Sequence, residues 1–473
     1  MSPQHVIDGF IKDFVQDLHN GSAAIFAGAG MSKGSGYVDW PELLCDIANE
    51  LGLDVTKEQD LISLAQFHVN NKRTADGLAK KIVREFSEQA EPSGVHDIIA
   101  RLPIYSFWTT NYDTLIEDAL RRAYRVPDVK YHVDQLTISL PKRDAIVYKM
   151  HGDVQTAQNA IIYKEQYEKY YVTHARFITA LSGDLVSKTF LFIGFSFTDP
   201  NLDYVLSRLH CGATSRTHYC FMREAQREVG DDDELFRYKI RKQELRIEDL
   251  KRFGIQTLLI DNYSDINDIL KKIEALYRKR TVFFSGSAED YGEWTRQDAQ
   301  SFIHDVAATC VRANCRVVNG FGWGVGSAVI NGALEAIYGD PQKYSEAQLI
   351  VRPFPQHGSN LKDLWEQYRQ RMISLAGVAL FFFGNKRDGD KVVKADGVRR
   401  EFEIALEHHL LPIPVAATGF MAKELWNEIS AELDKYYGGC KWVIPMVQKL
   451  GDPKTSRYEM ARTIGDIIKQ LNK

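Results

Sequence analysis

Only six cysteines occur in the 473 residues, at positions 45, 211, 220, 310, 315 and 440, and no two of them form a Cys-x-x-Cys pair. That spacing excludes a structural zinc site built from paired cysteines, and the thiols read as buried and free in a reducing compartment. No metal is expected. Charge of one sign is missing as well: 59 basic residues face 63 acidic ones for a net charge of −4, with no polybasic tail. Nucleic acid is therefore not an expected partner. Long apolar runs are also lacking, since the most apolar stretch, Thr189–Phe197, falls far short of the ~20 residues that span a bilayer. The first residues, MSPQHVIDGFIKDF, carry acids where a signal peptide needs an apolar core. A cytoplasmic protein with no membrane partner is expected.

What is present is enough apolar material for well-packed interiors, with 44% hydrophobic and 11% aromatic residues. A chain of this length exceeds one ordinary core. Apolar runs that end in small or polar residues recur through the first half at Ala23–Ala27, Ile104–Thr109, Ala145–Met150 and Thr189–Ile193. Helical patterns lie between them, such as the one after the Asp39-x-x-Glu42 capping box. Buried strands alternating with helices indicate a doubly wound, Rossmann-like parallel sheet.

The charged stretch Phe236–Arg252 reads as a solvated helix and Asp265–Tyr277 as an amphipathic one, followed by Arg278-Lys279-Arg280. The same grammar then restarts with strands at Val282–Phe284, Arg316–Asn319, Leu349–Arg352, Val378–Phe383 and Leu411–Val415. Two α/β domains are expected, over residues 1–278 and 279–473.

Four strand ends in the first domain carry polar clusters: Gly28-Ala29-Gly30-Met-Ser32, Thr109-Thr-Asn111-Tyr-Asp113, His151-Gly-Asp153 and Gly194-Phe-Ser196-Phe-Thr-Asp199. Loops at the carboxyl ends of strands in a doubly wound sheet converge on one crevice, so these clusters are candidates for one shared ligand. A glycine loop that opens a helix suits a pyrophosphate. Each cluster also has a plainer reading. Asn111 or Asp113 can cap the following helix, His151 can be a satisfied core histidine, and Asp199-Pro200-Asn201 is an ordinary helix start.

Together, GAGMS, TNYD and HGD resemble the sirtuin family over roughly residues 10–275. The resemblance implies cleavage of the nicotinamide–ribose bond of NAD, with NAD as substrate rather than cofactor. It casts His151 as general base and Asn111 as the residue that positions the ribose and an attacking water. Gly28, Ala29, Gly30 and Ser32 would lie against the pyrophosphate, Asp113 would hold the carboxamide, and Gly194 and Ser196 would complete the site. The paired zinc cysteines of protein-deacylating sirtuins are absent. So is the arginine that follows the family's first loop, where Asp39-Trp40-Pro41 stands instead. Water is then the simpler acceptor of ADP-ribose. A sirtuin-type ADP-ribosyltransferase or deacylase, and a non-catalytic nucleotide sensor, are the alternatives.

In the second domain, Ser285-Gly286-Ser287 and the run Asn319-Gly-Phe-Gly322-Trp-Gly324-Val-Gly326-Ser327 each follow a strand. These loops resemble the SLOG superfamily of nucleotide-binding proteins. Where the enzymes of that group carry Pro-Gly-Gly-x-Gly-Thr-x-x-Glu, this chain has Gly384-Asn-Lys386 and Lys394-Ala-Asp-Gly397-Val-Arg-Arg-Glu401, which suits binding without turnover. Arg369, Lys386 and Glu401 are the candidate ligand contacts beside Ser285, Gly286, Gly322, Gly324 and Gly326. Basic groups next to glycine loops suit an anion with two or more phosphates.

A sirtuin-like domain followed by a SLOG domain resembles the effectors of the bacterial Thoeris antiphage defence system. That likeness implies an NAD hydrolase activated by a cyclic ADP-ribose isomer, the product of a TIR-domain partner protein, and a homo-oligomer of four or more subunits. NAD depletion would then end the infected cell.

Overall fold

In a computed structural model, which describes residues 4–472 apart from 89, 198, 210–215, 358 and 453, the chain divides into two units, Met1–Glu274 and Ala275–Lys473. The division falls inside a helix, Ser264–Lys279. Cys211 lies outside the described residues.

The first unit is built on seven strands: β1 (Ala23–Ala27), β2 (Ser106–Thr109), β3 (Pro127–Lys130), β4 (Ala145–Lys149), β5 (Thr189–Ile193), β6 (His218–Arg223) and β7 (Ile255–Ile260). Their order in the sheet is β3-β4-β2-β1-β5-β6-β7, and every pairing is parallel. β1 and β5 are buried along their whole length and apolar but for Thr189, as suits strands covered on both faces. Phe26 stacks on Phe192 at 5.3 Å, and Trp108 on Tyr148 at 4.0 Å. The sheet reverses its strand order beside β1, which places a switch-point crevice at the carboxyl ends of β1 and β5.

Local chemistry sets the helix starts. Asp39 and Glu42 form the expected capping box on the helix Trp40–Glu50, with a carboxylate accepting from the other residue's N–H at 3.1 and 2.9 Å. The charged stretch forms one helix, Asp233–Arg252, with only Leu250 buried.

The second unit has β8 (Thr281–Ser287), β9 (Arg316–Asn319), β10 (Leu349–Val351), β11 (Val378–Phe383) and β14 (Leu411–Pro414) in the parallel order β10-β9-β8-β11-β14. A separate antiparallel hairpin joins β12 (Asn385–Asp388) to β13 (Lys391–Lys394). β11 is buried at all six positions and runs through the centre of the core.

The two doubly wound sheets are those expected. The composition of the first is wider than its four apolar runs suggested, because β3, β6 and β7 carry polar residues. Two of the thiols depart from the expectation of burial: Cys45 is exposed and Cys440 half-buried, while Cys220, Cys310 and Cys315 are buried. Among the described residues no helix is long and apolar enough to cross a membrane.

Candidate active site and nucleotide site

Parallel pairing brings the candidate residues of the first unit together. Ala27 is level with Thr109 on one side and Ile193 on the other, and Thr109 is level with Lys149. Asn111 and His151 each follow those positions by two residues, so both leave the same edge of the sheet.

Asn111 is the hub of a short network. Its Nδ2 donates to Gly28 O at 3.0 Å and to Ser32 Oγ at 2.8 Å, and Ser32 Oγ in turn donates to Asp113 Oδ2 at 2.7 Å. The other carboxylate oxygen of Asp113 accepts from Leu115 N at 3.1 Å. Asn111 thus joins the β1 and β2 loops rather than capping a helix, and Asp113 is the residue that caps. Both carboxylate oxygens of Asp113 are thus engaged inside the protein. A small cleft opens beside this network, lined by Ala29, Ser32, Trp40, Phe86, Asn111 and Asp113 among others.

The glycines of the first loop have a packing role. Gly28 N donates to Ile193 O and Gly30 N to Gly194 O, each at 2.9 Å. A Cβ on Gly28 would lie 2.4 Å from Gly194 O, and one on Gly194, at φ +64°, would lie 2.2 Å from Met31 N. These two N–H groups are therefore engaged with the β5 loop, not open to a pyrophosphate as expected. Ala29 and Gly30 border open space, and Ser196 is exposed.

His151 is 1% exposed and is not among the residues lining that cleft. Its Nε2 lies 3.2 Å from Asp199 Oδ2 and its Nδ1 3.5 Å from the Tyr167 hydroxyl. Burial opposes ionisation of Asp199, yet the charge of His151 and the N–H groups of Leu202 and Asn201 hold its carboxyl below the usual range. Asp199 is both a helix start and the histidine's partner, and only the first role was legible in the sequence.

Sequence reasoning missed Lys149 altogether. Fully buried, its Nζ donates to Tyr112 O at 3.1 Å, to Asp113 O at 2.5 Å and to Asp153, with Glu117 at 3.3 Å. It ties the Asn111 loop to the His151 loop. Burial disfavours its charge, but Glu117, Asp153 and Asp113 outweigh that and raise its pKa.

In the second unit Ser285 Oγ donates to Glu401 Oε2 at 2.6 Å, and Arg369 Nε lies 3.7 Å from Glu401 Oε1. Burial raises the pKa of Glu401 against the pull of Ser285 and Arg369. Arg369 Nε is buried without a hydrogen-bond partner, and its guanidinium sits 5.1 Å above the Phe354 ring. Lys386 stands apart on the exposed hairpin, 2.9 Å from Asp396. Gly286, Gly322 and Gly324 pack backbone on backbone: added Cβ atoms would meet Phe382 O at 2.5 Å, Gly286 O at 2.0 Å and Ala288 O at 2.1 Å. Gly326 opens the helix Gly326–Gly339 against Phe321.

Comparison with known proteins matches the same two units. A SIR2-like domain family covers residues 105–247, and the Sir2- and TIR-associating SLOG family covers 265–471. The NAD(+) hydrolase ThsA of Bacillus cereus (strain MSX-D12) is 46% identical over the whole of both chains. The chain belongs to the ThsA family. The ThsA of Cytobacillus dafuensis is 45% identical over 98% of this chain and 96% of its own. That of Acinetobacter baumannii (strain 532279) is 41% identical over 98% of each. The likeness to ThsA is therefore of the whole two-unit chain, not of one domain.

Proposed function

We propose that the first unit hydrolyses NAD+ to ADP-ribose and nicotinamide, and that the second unit switches this activity on when it binds a cyclic ADP-ribose isomer made by a TIR-domain partner protein. The carrying observation is the pinned Asn111 in a cleft walled by Trp40 and Phe86, in a chain that resembles named NAD(+) hydrolases over its full length. Flat aromatic walls suit the nicotinamide ring. As nicotinamide leaves, positive charge develops at the ribose C1′, and a water must attack there. Because Nδ2 of Asn111 is held by Gly28 O and Ser32 Oγ, the side chain that lines the cleft keeps one orientation and its Oδ1 is left to fix a ribose hydroxyl or that water. His151 is the group suited to receive the released proton.

In the second unit, the unpartnered Nε of Arg369 is a buried cationic donor beside a glycine loop, which favours a phosphate. Glu401 suits a ribose hydroxyl. Activation requires that the cyclic nucleotide bind the active arrangement of a homo-oligomer more tightly than the resting one. Depletion of cellular NAD+ would abort the infection.

Purified protein incubated with NAD+ and a panel of cyclic ADP-ribose isomers, without peptide, is expected to release nicotinamide with at least one isomer. Arg369→Ala is expected to weaken activator dependence at least tenfold. Nicotinamide release that no isomer changes would defeat the regulatory half of the reading.

A further inference from the structure

Each ring nitrogen of His151 faces a polar side chain. Among the described residues Nε2 is buried without a hydrogen-bond partner, and the carboxylate of Asp199 stands 3.2 Å from it. Nδ1 faces the Tyr167 hydroxyl at 3.5 Å. The rings of Tyr167 and Tyr170 stand edge-on to the imidazole, at 5.3 Å and 77° and at 6.4 Å and 80°, so it cannot turn freely. Asp199 is itself fixed: its Oδ1 accepts from Asn201 N at 2.9 Å and Leu202 N at 3.0 Å. Capping the helix Pro200–Leu209 needs only that oxygen. The second oxygen, in a side chain that is 11% exposed, is turned to the histidine.

We propose that Asp199 is the positioning residue of His151: an ionised carboxylate only accepts, so it keeps the proton on Nε2 and leaves Nδ1, on the Tyr167 side, as the basic nitrogen. The inference rests on NAD+ hydrolysis by the first unit. In that reaction the C1′–N bond breaks and nicotinamide leaves with the bonding pair. The water oxygen bonds to C1′, and its proton passes to Nδ1 by relay through the Tyr167 hydroxyl, since His151 itself does not line the cleft. The imidazolium so formed faces the Asp199 carboxylate until the proton is lost to solvent. The division of roles is the one seen whenever a buried aspartate orients a catalytic imidazole.

The test uses the full chain with Asp199→Asn, which keeps both the size and the helix cap. The expected result is a kcat at least about a hundredfold lower with KM little changed. A kcat within twofold of the wild type would reduce Asp199 to a helix cap. A rise in activity without activator would make it a restraint, and would equally overturn the proposal.

Nitrogen NMR of the His151 ring in the wild-type protein gives a reading that no variant can spoil by misfolding. It should show the proton on Nε2, and a proton on Nδ1 overturns the assignment. If the wild-type protein releases no nicotinamide under any condition, the hydrolase reading fails, while the ring proton still tests the pairing.

Discussion

In the proposed reaction Asn111 acts through its Oδ1, the atom left over once Nδ2 is engaged. Two hydrogen bonds hold Nδ2, and Ser32 relays the constraint to Asp113. Asn111→Ala should therefore lower nicotinamide release at least about a hundredfold. It should cost only about 1 kcal/mol of stability, since it removes two part-buried hydrogen bonds that other donors can replace in part. Parallel assays of activity and urea unfolding check both halves. If stability fell by several kcal/mol and activity fell only in proportion to the unfolded fraction, Asn111 would be structural. Asn111, Ser32 and Asp113 were each legible because such polar types at the ends of apolar runs have few other uses. Lys149 was not. A lysine at a strand end reads as solvated, and only the fold brings Glu117, Asp113 and Asp153 around it.

Among the elements, the loops after β1 and β5 interlock with no room for a side chain. Gly194→Ala should push the β5 loop away from Met31 N, because the Cβ has neither space nor a favourable backbone angle there. Loss of activity with a Tm several degrees lower is the expected outcome; a normal Tm and normal rate would mean that the two loops are not packed so closely. Lys149→Met tests the β4 anchor. It leaves Glu117 and Asp153 buried without their cation, which should destabilise by ~3–5 kcal/mol in denaturant titration. A change below 1 kcal/mol would contradict the buried network.

The strands that form these anchors were readable as continuous apolar runs. β3 holds buried Asp128 and Lys130, which neutralise each other at 2.7 Å, and β6 opens on buried His218. Polar residues in such places hide a strand from apolar periodicity. The hairpin β12–β13 is mostly charged and exposed, and reads as a loop. The glycine runs were visible too, but sequence does not separate a glycine that faces a ligand from one that faces another backbone.

For the whole molecule, acid should act unevenly. Burial lowers the pKa of His96, His174 and His218 to about 4, and all three lie in the first unit. Nδ1 of His218 accepts from Phe190 N, and that of His96 from Ser93 N, so the neutral ring is the one that fits. The unfolded chain then binds more protons below the ordinary value of 6.5. Stability of the first unit is full above that pH and is lost as pH falls toward about 4. Calorimetry at pH 7.5 and 5 should show the transition of the first unit moving to lower temperature, and His218→Gln should reduce the shift. Equal displacement of every transition would argue against these histidines.

The central claim, that the whole chain is a nucleotide-gated NAD+ hydrolase, is tested most directly by product stoichiometry. Purified wild-type protein, given NAD+ and the activating cyclic ADP-ribose isomer but no peptide, should yield nicotinamide and free ADP-ribose in equal amounts, with neither formed by Asn111→Ala. Nicotinamide without matching ADP-ribose, or undiminished release by that variant, would contradict the account.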